Sequence, residues 1–161
     1  SGGNSANLNW ALSGVDTGRI NNLRLGEAIL LGREPLYGNS IDGLFLDAIT
    51  LVSEVIESKI KPSQPYGEIA QTSFGIIPCP ADRGSIRQII LALGHQDTDP
   101  GGLVPPSGVN ILGASSDHLI LDDTQDNFSV GSEVTFHLNY SALIRAIASP
   151  FVAKIMKNFD I

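Results

Sequence analysis

The sequence predicts a mainly β fold, a barrel or sandwich of short strands, preceded by a small α/β segment. Three observations predict it. From Ala48 onward β-branched residues and apolar–polar alternation dominate. Turn clusters cut that region into short runs: Pro62-Ser63-Gln64-Pro65, Asp99-Pro100-Gly101-Gly102, Pro105-Pro106-Ser107-Gly108 and Asp126-Asn127. The first 45 or so residues instead hold one nearly continuous apolar run and one short capped helix pattern, too little to bury their apolar faces alone.

Taken in order, Ser1-Gly2-Gly3-Asn4-Ser5 reads either as a tail or as a strand-to-helix turn. Asn4 and Ser5 would cap a short helix over Ala6 to Leu12. Asn22 to Leu31 reads as a buried strand of a parallel barrel or sheet, because Leu23, Leu25, Ala28, Ile29, Leu30 and Leu31 leave few polar breaks. Gly32 to Gly43, with Pro35 and Tyr37-Gly38, reads as a loop or short helix. Ile49 to Ser58 is a long strand with Leu51 and Val55 among its apolar positions. Ile86 to Leu93, Val109 to Ala114, His118 to Asp122 and Glu133 to Leu138 are further strands. Tyr140 to Ala148 is a helix ended by Ser149-Pro150, and Phe151 to Met156 a last strand.

The chain has 161 residues, 42% hydrophobic and 17% charged, a composition that favours one packed domain over disorder. The formal charge of −7 argues against a nucleic-acid backbone as partner, yet a small anion needs only a few local donors. A single cysteine, Cys79, excludes an internal disulfide. No apolar run approaches the roughly 18 residues of a membrane helix, and no signal peptide is visible, so a cytoplasmic protein without a membrane partner is the expectation.

Two segments suit a phosphate. One is the N-terminal Gly-Gly-Asn-Ser turn. The other is Leu23-Arg24-Leu25-Gly26-Glu27-Ala28-Ile29-Leu30-Leu31-Gly32, where an arginine precedes a glycine by two residues. Glycine admits close backbone approach, and free N–H groups at a turn or helix start bind anions. Together they look like half of a cradle.

The order of segments resembles the C-terminal part of the alanine racemase family, pyridoxal-phosphate enzymes built from a (β/α)₈ barrel followed by a β-domain, with the ornithine-racemase branch nearest. The resemblance rests on Ser1-Gly2-Gly3-Asn4-Ser5, Asn21 to Gly32 and Leu91-Ala92-Leu93-Gly94-His95-Gln96-Asp97. It extends through Ile111 to Asp122, which includes Ser115-Ser116-Asp117-His118, and Leu138-Asn139-Tyr140-Ser141-Ala142-Leu143. It implies that residues 1–45 are a remnant of the cofactor-binding barrel and residues 46–161 the β-domain. It also implies that Asn4, Ser5, Gly26 and Glu27 (through its backbone) hold the cofactor phosphate, and that Arg24 faces the pyridine nitrogen. An arginine does not give up its proton, so the ring nitrogen stays unprotonated and the ring is a weaker electron sink, which favours racemisation. Tyr140 would reach the phosphate, or else be a core aromatic.

In this family the β-domain supplies a tyrosine to the partner's active site as a catalytic base. Gly94-His95-Gln96-Asp97 falls at that place, with histidine replacing tyrosine. His95 is either the second base of a two-base proton transfer at Cα or a hydrogen-bonding residue at a strand end. Asp97 would orient it or meet a cationic substrate side chain. Ser116 and Asp117 match the turn that contacts the substrate carboxylate, and Asp117 or Asp122 could instead select a basic side chain, as in ornithine or lysine. The bland readings are a surface ion pair for Arg24 and a simple β-turn at Asp117-His118.

The resemblance places the Schiff-base lysine in the first barrel strand, before Ser1. Lys59, Lys61, Lys154 and Lys157 do not match its motif. The chain alone is therefore expected to be inactive, with an N-terminal half and a homodimeric copy as partners. Two other readings compete: a non-catalytic β-module mediating association, and a metal-assisted relative. The second is ranked last, because Cys79, His95, His118 and His137 show no short ligand spacing, so no metal is expected.

Overall fold

A computed structural model describes residues 2–67 and 81–157. Its framework is β1 (Leu51–Pro62), whose alternation of buried Leu51, Ser53 and Val55 with exposed Val52, Glu54 and Ile56 is the period-2 pattern of a strand with one face on a core. The other strands are β2 (Ser85–Leu91), β3 (Leu103–Val104), β4 (Val109–Ala114), β5 (Leu119–Asp123) and β6 (Glu133–Leu138). They form one sheet of six in the order β3-β6-β1-β2-β5-β4, every pairing antiparallel.

β1 divides its length between two neighbours. Leu51 to Glu54 pair with Phe136 to Glu133 of β6, and Val55 to Pro62 pair with Leu91 to Ser85 of β2. A register shift between Val55 and Glu57 bends the strand at the change of partner. A second irregularity between Ile111 and Gly113 bends β4 on β5. The sheet thus curls around one core, built from Leu51, Val55, Ile89, Leu91, Leu119, Leu121, Val134 and Phe136. Helix α3 (Tyr140–Ala148) lays Ala142 and Ala146, one turn apart, on that core.

Before β1 lie two short helices, α1 (Leu8–Leu12) and α2 (Glu27–Leu31). Much apolar surface in this region is exposed, including Leu12, Leu36, Tyr37 and Phe45. Asn4 begins the segment as a capping box: its side chain accepts from Ala6 N–H at 3.0 Å, and its own N–H donates to Asn7 Oδ1 at 3.1 Å. In the loop after α2 the buried carboxylate of Glu34 accepts from the N–H groups of Leu36, Tyr37 and Asn39 at 2.7 to 3.1 Å. Burial alone would raise its pKa, but these donors outweigh burial and hold it below the ordinary 4.5.

Two expected strands are corrected. Asn22 to Leu31 is not a strand: its second half is α2, because Glu27, Ala28, Leu30 and Leu31 are good helix formers and Gly32, at φ 67°, ends the turn in the left-handed conformation. A side chain at Gly32 would also meet the Phe45 carbonyl oxygen at 2.2 Å. Phe151 to Met156 forms no strand either. Pro150 cannot donate to a ladder, and Phe151, Ile155 and Met156 stand in solvent. β3 was not legible, since a two-residue strand carries no periodicity, whereas the 3-10 turn Pro100–Gly102 before it falls in the turn cluster read at Asp99 to Gly102. No helix of the described residues is long and apolar enough to cross a membrane.

Phe136→Ala is expected to cost about 3–5 kcal/mol in urea unfolding, and Val52→Ala, on the outer face of β1, within about 0.5 kcal/mol. The Glu34 carboxylate, with its lowered pKa, stabilises its loop fully above the unfolded value and loses that contribution as pH falls through the folded one. The Tyr37 and Asn39 amide resonances should therefore titrate only below pH 4.5, and Glu34→Gln should abolish that titration.

Candidate functional site

The predicted site residues gather in two clusters, the second of them tied to α3 by hydrogen bonds. In the first, Ser5 is buried and its Oγ accepts from the N–H groups of Gly26 and Ala28, each at 3.3 Å. This ties the N-terminal turn to the start of α2, 21 residues on. Glu27 opens α2, and its N–H has no acceptor among the described residues, as expected for a first helical position. A Cβ at Gly26 would meet only the Tyr140 hydroxyl, at 4.0 Å, so open space lies between this backbone and α3. Arg24 is exposed and makes no ion pair among the described residues, which removes the surface-pair reading. The Asn4 carboxamide oxygen caps the turn instead of pointing away from it.

The second cluster is a contact between two turns. His95 N–H donates to Ser115 O and Gln96 N–H to Ser116 O, both at 3.0 Å. Gly94 permits this approach: a Cβ there would lie 2.2 Å from Ser116 O and 2.5 Å from Asp117 N. The Gly94–Gln96 backbone therefore lies directly against the exposed 115–117 turn, and His95 between them is half-buried. The Ser116 hydroxyl donates to Asp117 Oδ2 at 2.8 Å, and Ser115 Oγ accepts from the N–H groups of Asp117 and His118 at 3.3 and 3.0 Å. The 115–118 turn is rigid and offers one outward carboxylate.

Asp97 differs from the other members. It is 6% exposed, its Oδ2 accepting from Gly94 N–H at 3.0 Å and its Oδ1 from the Ser149 hydroxyl at 3.4 Å. The structure turns it inward, away from any cationic substrate side chain. Asp122 is likewise buried, 2.7 Å from Arg83 on the neighbouring segment, and does not face the site.

Sequence reasoning did not identify the residues that hang these turns on α3. Thr98, fully buried, donates through Oγ1 to Ala142 O at 3.0 Å. Asp99 Oδ2 accepts from the Ser141 hydroxyl at 2.6 Å. That bond is the main cause holding the Asp99 carboxyl below the usual range; the Gly101 N–H and the charges of Arg145 and His95 add to it, against burial. Gly102 O accepts from Asn139 N–H at 2.8 Å, and Asn139 caps α3. The one available signal was the polar run Thr98-Asp99 opposite Ser141 and Ser149.

Three of the four lysines are engaged elsewhere. Lys59 and Lys61 both donate to Glu57, whose carboxyl they pull down to about 2, and Lys154 donates to Ser149 O. Among the described residues no three His, Cys, Asp or Glu side chains are grouped to hold a metal ion; Cys79 lies outside those residues.

No family model matches the chain. It is 43% identical over 157 residues to an ornithine racemase from Acetoanaerobium sticklandii and, to the same extent, to a lysine racemase from Thermotoga maritima. Each alignment covers 96% of this chain and 44% of the relative, so the chain spans less than half the length of these curated relatives. A solved alanine racemase from Acinetobacter baumannii aligns with 81% of this chain and 37% of its own, at 19% identity and a TM-score of 0.48.

Gly94→Ala should force the two turns apart, costing about 1–3 kcal/mol in thermal unfolding. Loss of nuclear Overhauser contacts between residues 95 and 115 would report the separation directly.

Proposed function

We propose that this chain, 43% identical over 157 residues to those ornithine and lysine racemases, is part of a pyridoxal-phosphate-dependent amino-acid racemase that interconverts the L and D forms of a basic amino acid. Residues 1–45 would belong to the cofactor-binding (β/α)₈ barrel and residues 46–161 to the β-domain. The observation that carries this reading is the convergence of Ser5, Gly26, Glu27 and Tyr140, from three distant stretches of sequence, on one open spot.

The residues present fit a phosphate. A hydroxyl, a free helix-start N–H and a phenol ring an open space next to a glycine, in a chain whose overall charge would otherwise repel an anion. Ser5, Gly26, Glu27 and Tyr140 would hold the phosphate, with Asn4 shaping the turn. Arg24, without an ion-pair partner, is the cation for the ring nitrogen. Pyridoxal phosphate, when bound, supplies an electron sink for negative charge at Cα.

His95 takes or returns the proton at substrate Cα on one face, as an imidazole can. Backbone donors of the Ser116-Asp117 turn receive the substrate carboxylate, and the outward Asp117 carboxylate favours an ammonium-bearing side chain. The base for the opposite face, and the lysine that carries the cofactor, would come from the portion of the relatives' length that this chain does not span, since Lys59, Lys61 and Lys154 are committed within it. His95 would serve the site of a second copy in a homodimer. The 161 residues alone are accordingly expected not to racemise.

In the complete protein, His95→Ala should lower kcat for L-lysine and L-ornithine racemisation about 10²–10⁴-fold, read by chiral chromatography. Exchange of Cα hydrogen with deuterated solvent should become confined to one enantiomer. Undiminished exchange from both enantiomers would remove His95 from proton transfer. Failure of the complete protein to bind pyridoxal phosphate would overturn the reading as a whole.

A further inference from the structure

Asp97 is a buried carboxylate with no cation paired to it among the described residues, and every partner it has is neutral. Burying a carboxylate on neutral donors is costly compared with an uncharged turn residue such as serine. What the carboxylate offers is an acceptor on each oxygen, and both are used. Oδ2 takes the Gly94 N–H, and Oδ1 takes the hydroxyl of Ser149, the residue that follows α3. The same turn is closed by the N–H groups of Asp97 and Thr98 on Gly94 O, at 3.0 and 3.1 Å, and Thr98 Oγ1 reaches Ala142 O in the middle of α3. Ser149 Oγ in turn accepts from Phe151 N–H at 3.2 Å.

His95 gives its N–H to Ser115 O and Gln96 its N–H to Ser116 O, so both are tied to the neighbouring turn next to the Gly94 that no larger residue can replace. The His95 backbone is therefore fixed from two sides: by the 115–118 turn, and by Asp97 acting through Gly94. We propose that Asp97 is a positioning residue, which locks the Gly94–Thr98 turn to the C-terminal end of α3 and so sets where the His95 imidazole stands against the Ser116-Asp117 turn. The lock is independent of the reaction. Its catalytic consequence rests on the proposed role of His95.

The test uses the complete protein, labelled with [¹³Cε1]histidine, in the variants Asp97→Ala and Asp97→Asn. Asp97→Ala should move the His95 resonance and its titration midpoint while leaving His118 and His137 in place, and should lower kcat about 10²-fold, as a misplacement near 1 Å does. KM for lysine should stay within about threefold, since the loss falls on the reacting geometry rather than on uniform binding. Asp97→Asn keeps the shape and the acceptor for Gly94 N–H, and should restore most of both signals. Should Asp97→Ala not fold, Ser149→Ala, which removes the anchor on Oδ1 together with the acceptor for Phe151 N–H, is expected to move the His95 resonance in the same direction and leave His118 and His137 in place. A His95 resonance and titration identical to wild type in a folded Asp97→Ala, or in Ser149→Ala where that variant is read instead, overturns the proposal. A displaced resonance with unchanged kcat supports the lock and overturns the catalytic role of His95.

Discussion

At Val55 the central strand changes partner, and the rest of the molecule depends on how that residue is held. Its N–H donates to Ser132 O and its carbonyl accepts from Gly131 N–H, both at 2.9 Å, while its Cα faces Leu91 of β2. Its side chain is fully buried. One β-branched residue thus joins two ladders, and the bend beside it directs the first third of β1 to β6 and the remainder to β2. Without that bend the sheet would lie open, and Leu121 and Phe136, from strands on either side of β1, would not share a core. An antiparallel sheet with one apolar face must cover that face, and curling is how a sheet of six strands does so with a single nine-residue helix.

Helix α3 couples this core to the second cluster of polar residues. Its inner face is alanine, small enough for the helix to lie close on the sheet. Its first residue, Tyr140, points its hydroxyl toward Gly26. Ser141, the Ala142 carbonyl and Ser149, just beyond its end, hold the 94–102 loop along its length. The second cluster is thereby held at several points on one helix, the condition for holding reacting groups closely. Electrostatics follow the same local logic. In a chain of charge −7, buried or half-buried carboxylates such as Glu34 and Asp99 are satisfied chiefly by N–H and O–H donors, and Arg24 makes no ion pair among the described residues.

Periodicity made most of the sheet legible. Val109–Ala114 and Glu133–Leu138 occur as read, and Tyr140–Ala148 is a helix with the predicted bounds, because each is a run of one period between strong turn signals. Asn22 to Leu31 misled for the opposite reason. An apolar run without alternation fits a buried strand or a short helix equally, and Gly26 and Gly32, bracketing five good helix formers, decided for the helix. Phe151 to Met156 has strand composition, but Pro150 and the lack of a neighbouring strand leave it irregular.

By itself the sequence determined the fold class, most of the strands, the bounds of α3 and candidate residues for the site, since propensity, turn chemistry and motif order are local properties of the chain. Only the tertiary structure decided which of those residues touch. It brought Ser5 to Gly26 across 21 positions, set His95 against Ser116 through a glycine with no room for a side chain, and turned Asp97 inward while leaving Asp117 outside. The physical reason is that the direction of a carboxylate depends on which donors and which solvent the folded chain places around it, and those come from segments far away in sequence.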